Sequence, residues 1–458
     1  MTTQALKYYR FDALLQQQGW MKPAYVGVDV HGKIKYISEN SPAAPAAIES
    51  VGGVALPGFQ NAHSHAFQYA MAGMAEKHIP GSVDDFWTWR EAMYECALAM
   101  NPDQVEAVAA MLYEEMLRKG YTHVAEFHYL HHDPNGRPYD NLAEMAERLI
   151  SAASLSGIKI TLIPIFYQKG GFNRDPELRQ CRFISKTVDE YLALLEASRA
   201  TLNTYADANL AFGVHSLRAV TASDIFRTLE VGPREMAFHI HAAEQKKEVA
   251  DCLFHLKQRP VEWLLNNLPL QERFNLVHCT HLNDDEVRKL AQTRANVILC
   301  PGTEGNLGDG IFRLTEFARF YGNWCIGTDS HITLNPLEDL RWLDYTQRLT
   351  SNRRNTFDDT ATVFMNKTIP CGRRAMGLRA SNFFELEKAL DCVVYNSNSA
   401  LLNPENPEHL LPSILYTSDS HDVYGTMVNG KWVLKNHQTK NGQETRLKYR
   451  KAVKEILF

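Results

Sequence analysis

The stretch "LPGFQNAHSHAFQYAMAG", Leu56 to Gly73, closes an apolar run with Leu56, Pro57 and Gly58 and then sets two histidines, His63 and His65, one residue apart. Alternate side chains of a strand share a face, so two such imidazoles can converge on one point and chelate a metal. With 18 histidines in 458 residues an H-x-H also arises readily by chance, so the pair must be judged by what the rest of the chain brings to it.

A short apolar or β-branched run, a polar cluster and a longer segment of helical periodicity recur along the chain. The runs are "VALPGFQNAHSH" (within 51–65), "THVAEFHYL" (122–130), "KITLIPIFYQ" (159–168), "ANLAFGVHSL" (208–217), "MAFHIHAAE" (236–244), "FNLVHCT" (274–280), "ANVILCPGT" (295–303) and "NWCIGTDS" (323–330). Between them lie helical segments such as "NPDQVEAVAAMLYEEMLRKG", with apolar residues at 105, 108, 109, 112, 116 and 117 and Gly120 as its stop, and "NLAEMAERLISAASLSG", stopped by Gly157. Alternating strand and helix implies parallel strands with right-handed crossovers. Eight such units imply a (β/α)8 barrel of the TIM type.

The flanks read differently, as short strands around glycine turns at "HGK" (31–33) and "NGK" (429–431). We expect a small β domain built from both chain ends, residues 1–56 and 381–458, around a catalytic barrel of residues 57–380. "SNRRNTFDDTATVFMNKTIPCGRRAMG" is expected to be helical and to hold the last barrel helices. The length accommodates a barrel of about 250 residues and a smaller unit.

A net charge of -5 without a long basic run gives no footprint for nucleic acid or an anionic membrane surface. No window approaches the ~18 uninterrupted apolar residues of a membrane span, and "MTTQALKYYRFDALLQQQGW" lacks the apolar core of a signal peptide. The eight cysteines are scattered without C-x-x-C spacing and read as free thiols, so a cytoplasmic location is expected.

Catalytic groups of such barrels sit at the C-terminal strand ends. Here those ends carry His63 and His65; Glu126 and His128; Tyr167 and Gln168; His215; His241 and Glu244; His278; Thr303 and Glu304; and Asp329. Three imidazoles (His63, His65, His241) and one carboxylate (Asp329) form a nitrogen and oxygen shell that suits zinc (Zn2+), with Fe2+ or another divalent ion an alternative. A hydrolytic metal lowers the pKa of its water to ~7, making hydroxide available at neutral pH. His239, two residues before His241, shares its face and stands as an alternative ligand, although a strand step of about 6.6 Å puts it deeper in the barrel. His131 and His132 read as loop residues.

The set "HSH", "HAAE", "VHCTH" and "GTDS" resembles the amidohydrolase superfamily of metal-dependent hydrolases and deaminases. Longer blocks, "NAHSHAFQYAMAGMAE", "FWTWREAMY", "VAEFHYLHHDPNGRPY", "GVHSLRAVT", "HIHAAEQ", "RPVEWLL", "NLGDGIF" and "LRWLDYTQRL", are similar to its deiminases that act on N-formimino-L-glutamate in histidine degradation. The tail departs from the pattern, with "ALDCVVY" where an "ADLVV" strand is usual.

The resemblance implies one zinc per subunit on His63, His65, His241 and Asp329. It implies Glu244 as the proton carrier and His278 as the group that orients the water and steadies developing charge, with Asp329 sharing in proton transfer. Substrate would be bound by Gln68, Arg90, Tyr129, His215 and Arg218. No lysine occurs in "ANLAFGVHSL", so the carbamylated-lysine bridge of two-metal relatives is not available there. The substrate would be a small dicarboxylate, met by forked bonds from Arg218 and Arg90 with Tyr129 adding a donor. Other readings give Arg90 a structural place in the amphipathic helix start "DDFWTWREAMY" and make Gln68 a helix cap. The resemblance also implies a homodimer. Two alternatives remain: a deaminase of a guanine, cytosine or triazine ring, and a metal-binding barrel without catalysis.

Overall fold

The computed structural model describes residues 6–43, 47–76, 86–380 and 382–457. Residues 1–5 of the expected β domain, and Asp84 and Asp85 of the "DDFWTWREAMY" segment, lie outside the described residues.

Eight parallel strands succeed one another in chain order: β1 (Phe59–Ser64), β2 (Tyr121–His128), β3 (Lys159–Phe166), β4 (Phe212–Ser216), β5 (Phe238–Ala242), β6 (Phe274–His278), β7 (Asn296–Leu299) and β8 (Asn323–Ile326). A parallel bridge between Ser64 and Asp329 brings the chain after β8 back to β1, and the barrel closes. These strands are buried on both faces, which is why they read as apolar runs and not as an alternation. The run at 208–217 is interrupted: Ala208–Leu210 pairs with β3, and after Ala211 the chain continues as β4 between β3 and β5.

The helices follow their local signals. Pro102–Arg118 starts with a capping box between Asn101 and Gln104 and has Pro102 in its first turn. It buries Val105, Val108, Ala109, Leu112, Met116 and Leu117, each large aliphatic worth about 1.5–3 kcal/mol of burial. Glu144–Ser156 ends at Gly157 in the left-handed conformation, φ 84°.

The last barrel helix, Thr360–Ala375, seals the barrel at the end opposite the site. Asn296 Nδ2 donates to Cys371 O (2.8 Å), Asn209 Nδ2 to Met376 O (2.7 Å), and His239 Nε2 to Ala375 O (2.8 Å). His239 therefore supports the floor of the barrel. A second apolar cluster, including Ala62, Val277, Cys300, Cys325 and Cys371, fills the interior above that floor.

Both chain ends build the β unit beside the barrel. One sheet orders Ile34–Ser38, Ala24–Val28, Lys7–Phe11 and Ile48–Ser50; the other runs from Gln438–Thr439 through Lys431–Lys435, Val423–Val428, Cys392–Asn396, Gly53–Pro57 and Ala13–Gln16 to Gly19–Met21. The first sequence run is thus two strands. Gly53–Pro57 pairs with Cys392–Asn396, and after Gly58 the chain enters β1. A Cβ at Gly58 would stand 2.3 Å from the Thr122 side chain, so the crossing admits only glycine. The C-terminal stretch also carries the helices Pro407–Thr417 and Gly442–Leu457, the latter packed on Pro102–Arg118. Among the described residues no helix is long and apolar enough to cross a membrane.

Candidate active site

At the C-terminal strand ends the imidazoles of His63, His65 and His241 meet. His63 Nε2 lies 3.1 Å from His65 Nε2 and 3.1 Å from His241 Nε2, and Asp329 Oδ1 lies 3.1 Å from His65 Nε2 and 3.6 Å from His63 Nε2. The other ring nitrogens fix two tautomers. His65 Nδ1 donates to Phe127 O (2.9 Å) and His241 Nδ1 to His215 O (3.0 Å); a carbonyl only accepts, so both Nε2 atoms present lone pairs inward. Burial disfavours the charged forms of His63 and His241, lowering the pKa of His63 to about 3 and that of His241 well below its usual value. Facing lone pairs at this distance repel unless a cation lies between them. Ligands at the ~2.0–2.1 Å of zinc–nitrogen bonds stand about 3.3 Å apart in a tetrahedron, close to the spacing seen here. The donor set fits a divalent cation.

His278, at the end of β6, faces the same point, with Nε2 3.6 Å from Glu244 Oε1 and 3.8 Å from Asp329 Oδ2. Its Nδ1 lies 3.2 Å from Glu304 Oε1, and that oxygen also accepts from Cys300 N (2.9 Å). Burial alone would lower the His278 pKa, but Glu244, Glu304 and Asp329 outweigh it and push it up to about 10. Burial raises that of Glu244, against the pull of His278 and Arg218. Cys300 also comes within reach of His278 and Asp329, but burial pushes its thiol up, so it is protonated and a poor ligand at neutral pH.

The backbone here is bent for the purpose. Ala243 (φ 53°), His278 (70°), Cys279 (54°), Asp329 (50°) and His331 (65°) are all left-handed although none is glycine, a strain of about 1–3 kcal/mol each that surrounding bonds must hold. Glu248 provides one such restraint, accepting from Ala243 N (3.0 Å) and Glu244 N (2.9 Å), which fixes the turn that carries Glu244. Glu126 provides another, accepting from Ser64 Oγ (2.6 Å) and Ala66 N (2.6 Å) on either side of His65.

A pocket of about 530 Å³, mouth included, opens from this centre, lined by Gln68, Arg90, Tyr129, His215 and Arg218 among others. Gln68 Nε2 donates to Tyr129 Oη (2.9 Å), and the Tyr129 ring meets that of His65 edge-on at 5.0 Å. His215 lies between His241 (4.9 Å between ring centres) and Tyr167 (4.5 Å). Arg90 stands over the Tyr94 ring at 5.4 Å. Arg218 keeps its charge: burial works against it, but Glu248 and Glu244 raise its pKa.

The residues that the resemblance names as ligands, acids, bases or substrate contacts therefore border one cavity, except that His63 lies behind His65 and His241; the alternative ligand His239 lies on the floor, away from it. Some other strand-end residues do not. Gln168 bonds Lys186 O and Asp224, His128 packs edge-on against His131, and Thr303 bonds Ser330 Oγ (3.0 Å), all outside the cavity lining, so the expectation that one site gathers the polar residues of nearly every strand end is corrected at these three. His131 and His132 bond the carbonyls of Ile165 and Ile184 and hold loop structure. Glu248 and the role of Glu304 were missed. The short spacing from Glu244 to Glu248 was the available signal for the first.

Fold and site together define a metal-dependent hydrolase of the barrel type. The amidohydrolase family model matches residues 54–433. The formimidoylglutamate deiminase of Pseudomonas aeruginosa is 41% identical over 92% of this chain and 93% of its own. The crystal structure of an amidohydrolase from Brucella melitensis superposes with a TM-score of 0.92 at 36% identity, covering 99% of this chain and 100% of that one. An adenosine deaminase from Xanthomonas campestris, crystallised with bound zinc, shares the fold at a TM-score of 0.83 and 20% identity, covering 98% of both chains. The chain belongs to the amidohydrolase family.

Proposed function

We propose that the protein hydrolyses N-formimino-L-glutamate to N-formyl-L-glutamate and ammonia, a step of histidine degradation. The observation that carries this reading is the polarity of the pocket: Glu244, His278 and Asp329 at the imidazole cluster, and Arg90 and Arg218 among tyrosines in the remainder. Such a cavity suits a linear molecule with a basic amidine at one end and carboxylates at the other. The similarity to the Pseudomonas aeruginosa deiminase supports it.

His63, His65, His241 and Asp329 would hold one divalent ion, zinc in this reading. When bound, the ion supplies a water acidic enough to attack at neutral pH. The remaining work falls to the chain. Glu244, held by Glu248 beside His278, takes a proton from the attacking water and returns it to the departing nitrogen, and Asp329 takes the remaining hydroxyl proton as the carbonyl forms and passes it to the same nitrogen. A carbon–oxygen bond forms at the formimino carbon, the carbon–nitrogen bond to the terminal nitrogen breaks, and ammonia leaves. His278, charged and tethered by Glu304, opposes negative charge as it develops. Arg90 and Arg218 bind carboxylate by charge-assisted bonds, and Gln68, Tyr129 and His215 shape the space between.

In this reading the enzyme is a cytoplasmic homodimer, in keeping with eight free cysteines and with the family resemblance. The test is proton NMR of N-formimino-L-glutamate with the zinc-loaded protein. Conversion of the formimino signal to formyl with one equivalent of ammonia supports the reaction, and no conversion overturns it.

A further inference from the structure

Gln180 lies on the short 3-10 helix Leu178–Phe183, between β3 and the helix Val188–Thr201, and is 1% exposed. Its side-chain oxygen accepts from Glu177 N (2.9 Å). A backbone N–H can only donate, so that end of the amide is the oxygen and the other is the NH2 group. The NH2 group then meets two tyrosines, Tyr94 Oη at 3.0 Å and Tyr167 Oη at 3.0 Å. Each of its two protons serves one hydroxyl, and both tyrosines accept. Neither hydroxyl proton is used toward Gln180, and both tyrosines line the cavity with Arg90 and Arg218. The helix is fixed by its neighbour Arg182, fully buried, which donates to Met100 O (2.7 Å) and His132 O (2.8 Å) and to Ala97 O.

We propose that Gln180 is a positioning residue that sets the hydrogen-bond polarity of Tyr94 and Tyr167. It turns both hydroxyl protons toward the substrate carboxylate farther from the reacting carbon. The wall lies beyond His215 as seen from His241, since the Tyr167 ring packs on the far neighbour of the imidazole cluster. With two guanidinium groups and two oriented hydroxyls it offers only donors, the complement of a carboxylate. This inference rests on the proposed substrate.

Two variants separate polarity from shape. Gln180→Glu keeps the outline of the side chain but replaces the NH2 group by an oxygen, which accepts from both tyrosines and draws their protons away from the cavity. Gln180→Met removes the donor without imposing the reverse polarity. Steady-state ammonia release from N-formimino-L-glutamate and calorimetric titration with glutarate are measured on zinc-loaded wild type and both variants. Melting temperatures establish that the variants fold. The expected result is a tenfold or greater rise in KM and in the glutarate Kd for Gln180→Glu, with kcat within threefold of wild type. Gln180→Met should shift both by threefold or less.

A larger defect in the methionine variant, or a fall in kcat alone, makes Gln180 a mere packing element and overturns the proposal. So does wild-type protein that fails to bind glutarate. If wild type binds glutarate and the glutamate variant loses that binding, but neither releases ammonia, the substrate reading fails while the role of Gln180 stands.

Discussion

Glu244 Oε1 stands 3.6 Å from Nε2 of His278, the one on the turn after β5 and the other at the end of β6, and Asp329 Oδ2 approaches the same imidazole at 3.8 Å. A carboxyl whose pKa is raised by burial faces an imidazolium stabilised by its acidic neighbours, beside the cluster of His63, His65 and His241. The division of labour we propose follows from those environments: His63, His65 and His241 would bind the ion and Glu244 would move protons.

Glu244→Gln keeps the size and the backbone bonds to Glu248 but removes the proton carrier. Turnover should fall by about 10²–10⁴-fold, the usual contribution of general acid–base catalysis. Zinc content by metal analysis should stay near that of wild type. Loss of zinc in this variant would assign Glu244 to the metal shell.

Arg218→Met should mainly weaken substrate capture. A charge-assisted bond of about 1.5–3 kcal/mol corresponds to a tenfold to hundredfold fall in kcat/KM, carried by KM. Steady-state kinetics that leave kcat/KM unchanged would remove Arg218 from the binding role.

His239→Leu separates the two histidines of "HIH". Ala375 O would lose its partner, costing about 1–3 kcal/mol and lowering the melting temperature. Zinc content and kcat should hold near wild type. An apoprotein from this variant would make His239 a ligand.

The sequence separates these two histidines by the length of a strand step, and the structure shows the consequence, with one ring on the barrel floor and the other at its mouth. The barrel was legible because each strand is short, buried and followed by an amphipathic helix with its own caps, as at Asn101 and Gly157. The clustering of His63, His65 and His241 was legible because strand ends are few and histidine there is conspicuous. Gln180 was not: it sits in an irregular stretch after β3 and meets Tyr94, 86 residues away, only in the fold. The break at Gly58 was hidden because both strands it joins are apolar. The C-terminal helix Gly442–Leu457 was missed because it was read with the strands before it, although its buried face rests on Pro102–Arg118.

Glu49 ties the two chain ends together, accepting from Lys435 Nζ (2.8 Å) and Trp432 Nε1 (2.9 Å) and pairing with Lys7 (3.1 Å). Burial alone would raise its pKa, but these three partners outweigh it and hold it at about 2. A carboxylate lowered on folding contributes stability that is present above its unfolded value near 4.5 and is lost as pH falls toward 2. Glu49→Gln should therefore lower the melting temperature at neutral pH, by about 1 kcal/mol or less of stability because the cluster is partly exposed. The gap between variant and wild type should close as pH falls from 4.5 toward 2. A gap that is constant with pH would mean that packing, not charge, holds this corner.

The most direct measurement is ammonia release by the purified, zinc-loaded protein from N-formimino-L-glutamate, with N-formimino-L-aspartate, guanine and cytosine run alongside and a metal-stripped sample as control. Release from the glutamate compound, abolished by stripping and restored by zinc, is the expected result. Release from a ring substrate alone would contradict the carboxylate pocket, and silence on all four would contradict the proposed catalysis.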